Sequence, residues 1–437
     1  MIYEIPKDDQ ALEEVLRTRR TLLDPHELSQ VVSVFNDVRT RGDAAIRAAT
    51  EKFDQVWLSS FRIHDSVADG AVQELPDELR SAIDTCRLRI ERVNASLLPL
   101  AESERQLDAH TTYGESYAPL DSVALWVPCR KGPLLSTATM LVAAAKVAGV
   151  PRIALCTPPR PDGTADAATL AAARLGGATE FYVGNGVAMI AGFTLGTDSL
   201  STVAGIFGPG PSGITLAMGL AAMSGKRTCL GLGPSDCLVL CDETANPNLV
   251  ARDLMTEAEH GPDSSSVLVT TSRELCERVQ SALTAFIAEV AEPRRQVLEQ
   301  LFDRGGRGAL VLCRDLQSCV DFVNSFAPEH MSIVCSPENT EKVLARALIA
   351  GEILLGPYTP FSAANYALGI TAVLPTNGYA RSLSGLTSRD MLRFSTRGCL
   401  DAEGLSQLIP AISTLARYEG LPCHGQAAEA RSTRPDE

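Results

Sequence analysis

From Asp121 onward the chain alternates two textures, and this alternation limits the folds open to it more than any other feature. Short runs of β-branched and aliphatic residues (SVALWV, RIALC, EFYV, TCLGL) are separated by alanine-rich windows with helical spacing, such as STATMLVAAAKVAG and AATLAAARLG. Continuous apolar strands of this kind suit a parallel sheet covered by helices on both faces. After the turn GLGPSD the pattern restarts with CLVLC, SVLVTT, ALVLC, MSIVC and EILLG, separated by helical windows including NPNLVARDLMTEAEH and TEKVLARALIAG. The economical reading is α/β, with two tandem, incomplete Rossmann-like parallel-sheet domains at 119–233 and 234–387.

The flanks read differently. Residues 1–118 show apolar residues three and four apart with charge on the opposite face, as in DELRSAIDTCRLRIERVNASLL, and are expected to be a helical region packing on the second sheet domain. Residues 388–437 are expected to be an amphipathic helical extension, with GQAAEARSTRPDE at its end disordered. Neither an internal sequence repeat nor a low-complexity linker is visible.

Charge excludes several function classes. A formal net charge of −14 disfavours nucleic acid and anionic membranes, which need a basic face. The N-terminus alternates charges where a signal peptide needs an apolar stretch, and no apolar run is long enough to span a bilayer, so a cytoplasmic protein with a small-molecule substrate is expected. The twelve cysteines are scattered with no C-x-x-C pair, and Cys237 and Cys241 sit inside an apolar run, which points to buried reduced thiols.

Only six histidines occur. Glu257 and His260 in TEAEH share one face of a helix at i,i+3, the spacing that two ligands of one metal need, although the same spacing describes a solvated helix face. Glu329 and His330 follow Pro328 at a loop-to-strand junction, a pairing suited to general acid/base work but also to an exposed loop. His424 in YEGLPCHG reads as a surface residue when taken singly. Spacing alone does not join these three places. GNGVAMIAG begins as a dinucleotide fingerprint but lacks its third glycine, and GPGPSG and GLGPSD read as turns before they read as phosphate loops.

Taken in order, the blocks WVP with KVAGV, GTDS, GPG, GPSD with LVLCD, DLMTEAEH, NSFAPEH, AGEILLGPYTP, VLPTNGYAR and YEGLPCH resemble those of histidinol dehydrogenases, over about Trp126 to His424. That family oxidises an amino alcohol to an amino acid in two NAD-dependent steps, with one zinc per subunit held by a glutamine, a histidine, an aspartate and a histidine contributed across a domain-swapped homodimer. By resemblance these ligands fall on Glu257, His260, Asn365 and His424. Two have changed type in opposite senses, so the set still holds one carboxylate, one amide and two imidazoles, donors suited to zinc.

The resemblance makes Glu329 and His330 the catalytic pair, and places Ser235, Glu257, His260, His330, Asn365, Glu419 and His424 against the substrate. A further active-site histidine of the family is Ala372 here, so a small polar alcohol or amino alcohol other than histidinol is expected. The P-G-G turn becomes Pro128-Cys129-Arg130, and the tyrosine, glutamine and asparagine that would contact NAD become Leu134, Ala188 and Pro211. NAD use is therefore open between two enzyme readings. One is a zinc- and NAD-dependent dehydrogenase; the other is a non-redox zinc enzyme (lyase, cyclase or hydrolase) that has abandoned the dinucleotide. A third reading is an inactive member that binds a ligand or partner chain.

Overall fold

The computed structural model describes residues 2–8, 10, 12–13, 24–100, 102–129, 132–231, 233–303 and 305–432. The chain divides into two units, Met1–Leu97 with Leu120–Met391, and Leu98–Pro119 with Leu392–Glu437.

The first unit opens with β1 (Ile2–Glu4), α1 (Pro25–Arg41), α2 (Asp43–Asp54), β2 (Arg62–Ile63), α3 (Asp65–Gln73) and α4 (Asp77–Leu97). Next in the chain come two strands of the second unit, β3 (Glu102–Gln106) and β4 (Thr111–Pro119). The first sheet domain follows as β5 (Ser122–Trp126), α5 (Leu135–Ala148), β6 (Arg152–Thr157), α6 (Ala167–Gly176), β7 (Glu180–Val183), α7 (Gly186–Leu195), β8 (Gly205–Phe207), α8 (Ser212–Met223) and β9 (Arg227–Thr228). The second repeats the plan with β10 (Asp236–Cys241), α9 (Pro247–Ala258), β11 (Ser265–Thr270), α10 (Arg273–Glu289), α11 (Arg294–Phe302), β12 (Gly308–Leu312), α12 (Leu316–Phe326), β13 (His330–Val334), α13 (Pro337–Leu344), β14 (Glu352–Leu355) and α14 (Phe361–Tyr366). The second unit resumes with β15 (Leu392–Leu400), α15 (Ala402–Tyr418) and α16 (Pro422–Glu429).

Sheet order makes the two domains equivalent. The first sheet runs β2-β7-β6-β5-β8-β9 and the second β1-β12-β11-β10-β13-β14. Each therefore contains five parallel strands in the doubly wound order 3-2-1-4-5, without the sixth strand of a complete Rossmann domain and with a strand from the N-terminal region added beside strand 3. The apolar runs explain the strands: β10 and β11 are buried along their whole length, as strands covered on both faces must be. No helix among the described residues is long and apolar enough to cross a membrane.

Several expectations are corrected. The N-terminal helices pack on the first sheet domain, not the second: α4 lies on α5, α3 on α6, α1 on α7 and α8, and α2 on α7, while β2 extends the first sheet through β7. An amphipathic stripe shows that a helix has a buried face, not which element covers it. Among the described N-terminal residues, β1 joins the second sheet by pairing with β12, and Leu12 packs in the core of that sheet.

Residues 102–119 are strands, and β15 replaces the helix expected at the start of the C-terminal extension. These strands form the antiparallel sheet β15-β4-β3 of the second unit. They escaped a pattern-based reading because all but the first residue of β15 are exposed, which leaves no apolar alternation to detect. The C-terminal stretch expected to be disordered is helical through Glu429, and residues 433–437 lie outside the described residues. All twelve cysteines are free thiols; Cys399 and Cys423 are exposed and Cys129, Cys229 and Cys335 half-buried, so the buried-thiol expectation holds for the other seven.

At the carboxyl edge of the second sheet, where open α/β sheets usually bind ligands, the protein's own groups bridge the ends of β10 and β13. Asp242, at the end of β10, accepts from Thr244 N at 3.0 Å, from Ser336 N at 2.9 Å and from Asn339 Nδ2 at 2.7 Å, tying β10 to the start of α13. Burial opposes the charged carboxyl, but these bonds prevail and hold it down at about 2. A depressed folded-state value gives stability that is present above the unfolded value near 3.8 and is lost as pH falls towards 2. Asp242→Asn is expected to flatten that acid limb of the unfolding curve, with a loss of roughly 2 kcal/mol at neutral pH; acid titrations of both proteins followed by circular dichroism check this.

Candidate active site

Each strand of the second sheet points the same way, and each helix runs back antiparallel to it, so helix ends return to the amino edge of the sheet. Helix α9 shows the consequence. It starts at Asn246, whose side chain accepts from Asn248 N at 3.0 Å, with Pro247 in the first turn, and it carries Glu257 in its last turn with His260 just past its end. Helix α12 ends at Ala327, and Pro328 turns the chain into β13 so that Glu329 and His330 lie at the same edge.

The arrangement converges on Glu257, which is 1% exposed. Asn365 Nδ2, from α14, donates to Glu257 Oε1 at 2.6 Å. His260 Nε2 is 3.4 Å from Glu257 Oε2, and His330 Nε2 is 3.9 Å from the same oxygen. His330 Nε2 is also 3.6 Å from Glu329 Oε1. The other carboxylate oxygen of Glu329 accepts from Asp236 N at 3.0 Å, and Asp236 Oδ1 accepts in return from Glu329 N at 2.7 Å. Asn377 N donates to Asp236 Oδ2 at 2.8 Å, so the pair is fixed from three segments. Behind the ring, Phe361 meets His330 edge-on at 5.8 Å between centroids, and His330 Nδ1 lies 2.6 Å from Glu352 Oε1.

These buried groups shift one another. Burial pushes the Glu329 carboxyl well above the usual carboxylate range, against the pull of His330 and with help from Asp236 and Glu257. Burial disfavours a charged His330, but Glu257, Glu329 and Glu352 outweigh it and push the imidazole up to about 10. A buried acid and base in contact, with pKa values moved this far, are candidates for proton transfer.

Of the residues expected from sequence, Glu257, His260, Asn365, Glu329 and His330 are brought together. Ser235 sits half-buried at the same edge, next to Asp236, with its carbonyl accepting from Ser265 N at 3.0 Å. Glu419, at the end of α15, and His424, in α16, are exposed residues of the second unit. Asp236, Glu352 and Phe361 were missed. Asp236 stood in the GPSD block, but a turn residue gives no hint that it braces the junction carrying Glu329.

The donor chemistry fits a zinc ion. Glu257 and Asn365, the two exchanged positions, are in direct contact, and the bond from Asn365 Nδ2 leaves its amide oxygen as a ligand. Among the described residues no three His, Cys, Asp or Glu side chains form a metal group by themselves; within this unit the side chains that could serve as donors are Glu257, His260 and the amide of Asn365. The end of α9 also favours a cation through the helix dipole.

A dinucleotide fits poorly at the carboxyl edge of the first sheet. Gly184 and Gly186 of the G-x-G are packing glycines: a Cβ on Gly186 would lie 2.6 Å from Ile214 Cδ1 and 2.7 Å from Trp126 Cζ2. The N-terminus of α7 is capped by Asn185, which accepts from Ala188 N at 3.3 Å, and Glu27 Oε1 accepts from Ser212 Oγ at 2.7 Å at the start of α8. Leu134 is half-buried, Ala188 is buried and Pro211 has no N–H, so none offers the side-chain hydrogen bond expected of the family.

Gly351 sets the edge of the site. A Cβ there would stand 2.6 Å from the Glu329 carbonyl oxygen, a backbone atom that cannot swing aside. Gly351→Ala is expected to push β14 away from β13 and lower kcat by about tenfold or more, as misplacement of about 1 Å does; steady-state kinetics on the soluble variant check it.

The histidinol dehydrogenase family model matches residues 18–432. The histidinol dehydrogenase of Synechocystis sp. is 36% identical over 404 residues, 91% of each chain. That of Methanosarcina mazei is 35% identical over 401 residues, 92% of this chain and 91% of that one. The crystal structure of histidinol dehydrogenase from Elizabethkingia anophelis matches with a TM-score of 0.90 at 30% identity, covering 99% of this chain and 97% of that one. Agreement of sequence and fold over nearly the whole length shows that this chain belongs to the histidinol dehydrogenase family and is an oxidoreductase of that family.

Proposed function

We propose that the protein oxidises a small amino alcohol at a zinc site formed by Glu257, His260, Asn365 and His424, with His330 and Glu329 moving the protons. The contact between Glu257 and Asn365, beside the His330–Glu329 pair, carries this reading. Zinc, when bound, supplies Lewis-acid polarisation of the alcohol oxygen. His330 Nε2 faces the cluster and, with the Glu257 charge that most raises the imidazole taken up by a bound cation, takes the hydroxyl proton as hydride passes from the carbinol carbon to a two-electron acceptor of the NAD class. Glu329, held by Asp236, orients a water and takes its proton if the aldehyde goes on to the acid. Ser235 and Glu419 hold the polar end of the substrate, and His424 and Glu419 reach the site from a second copy in a domain-swapped homodimer.

The relatives' names put histidinol first among substrates to offer, ahead of the expectation from Ala372 of a different amino alcohol. Ala372 packs on the cluster of Cys86, Ile90, Met140 and Ala143, which brings no imidazole to the substrate. The test is oxidation of histidinol and a panel of amino alcohols by zinc-loaded protein, with NAD, NADP and an artificial acceptor offered in parallel. Acceptor reduction that chelation abolishes and zinc restores is expected.

A second reading, a zinc enzyme without redox chemistry, draws support from Leu134, Ala188 and Pro211 and from the self-capped starts of α7 and α8. It requires that no acceptor is reduced while zinc still binds. Sedimentation equilibrium tests the homodimer, and a monomer with an intact zinc site would rule out the shared ligand.

A further inference from the structure

We propose that Glu352 is the positioning residue for His330, holding the imidazole so that Nδ1 carries a proton and Nε2 faces Glu257 and Glu329. This rests on the reading of His330 as the proton-transfer residue.

The register of the sheet brings the two together. His330 and Glu352 are paired residues at the starts of the adjacent parallel strands β13 and β14, so their side chains leave the same face one strand apart. The result is the 2.6 Å contact from His330 Nδ1 to Glu352 Oε1, with both side chains 3% exposed.

At its first position β14 buries a carboxyl where a structural strand buries an apolar side chain. Glu352 and Leu354 point inward, while Ile353 and Leu355 are exposed. The inward carboxyl is also only half satisfied, because Glu352 Oε2 is buried without a hydrogen-bond partner among the described residues. Burying such a group costs stability that an apolar residue of the same shape would not. Its one bond to His330 is what offsets that cost. A proton shared between Nδ1 and Oε1 fixes the tautomer and stops the ring from rotating, since Phe361 confines only its face. An inward charge on an edge strand also discourages pairing with other chains, but that role predicts no effect on the ring of His330.

The experiment uses full-length protein labelled with 15N-histidine, with the His330 signals assigned through His330→Gln. The wild type is expected to show a downfield Nδ1–H resonance for His330. Glu352→Gln, which keeps the acceptor oxygen, is expected to retain it, and Glu352→Ala to lose it or show exchange between tautomers. In parallel, Glu352→Ala is expected to lower kcat about 10–100-fold, the usual cost of removing an outer partner, with KM changed much less and Glu352→Gln recovering part of the loss. An unchanged Nδ1–H resonance in Glu352→Ala, or loss confined to KM or thermal stability, overturns the proposal. The resonance is read without substrate, so it decides even if no alcohol proves to be oxidised, an outcome that counts against the proposed function alone.

Discussion

Replacing His330 by Gln is expected to lower kcat about 10²–10⁴-fold, the range that a lost general base removes, with zinc content and fold unchanged. Glutamine fills a similar volume and can accept a hydrogen bond, but it cannot take a proton. The position leaves little room for substitution: Nε2 lies 3.6 Å from Glu329 and 3.9 Å from Glu257, and the residue is 3% exposed. Steady-state kinetics on the preferred amino alcohol, with metal analysis of both proteins, measure the effect. A variant within a few-fold of wild-type kcat would remove His330 from the chemistry.

The second large effect concerns the exchanged ligands. Glu257→Gln alone leaves amides at both positions and takes the only carboxylate from the zinc set. It is expected to weaken zinc binding by more than the 10–100-fold that loss of an outer partner costs. Asn365→Asp alone places two carboxylates within 2.6 Å contact distance, where Asn365 now donates to Glu257, and is expected to destabilise the metal-free protein by like-charge repulsion. The double variant Glu257→Gln/Asn365→Asp restores one amide facing one carboxylate and is expected to bind zinc nearly as the wild type does. Chelator competition across the four proteins gives the coupling energy of this cycle. Losses that simply add would mean the two positions do not act as one unit.

What the sequence made legible follows from burial. The β5–β7 and β10–β13 runs were visible because strands buried on both faces are largely apolar, and the two domains then follow from their order. The β8 strand, three residues long, and the two-residue β2 carry too little pattern to detect. The repeated 3-2-1-4-5 plan is a repeat of topology without repeated residues, since the sheet needs only apolar side chains of suitable volume.

At the site, Glu257 with His260 and Glu329 with His330 could each be noticed locally, by helical spacing and by a proline-led junction. Their convergence could not, because it depends on α9 and α12 both returning to the amino edge of one sheet. Asn365 was reached only through resemblance, as its own surroundings, FSAANYA, signal no chemistry. Glu352 opens the apolar run EILL and reads as the polar end of a strand; only the pairing of β13 with β14 shows that it lies behind His330.

The central claim is that an exchanged glutamate and asparagine still build a zinc site beside the acid/base pair. Elemental analysis of purified, zinc-equilibrated protein tests it most directly. About one zinc per chain is expected for a four-ligand site, retained in His330→Gln and lost in both Glu257→Ala and His260→Ala. A wild-type protein that holds no zinc, or zinc that survives both ligand substitutions, would contradict the account.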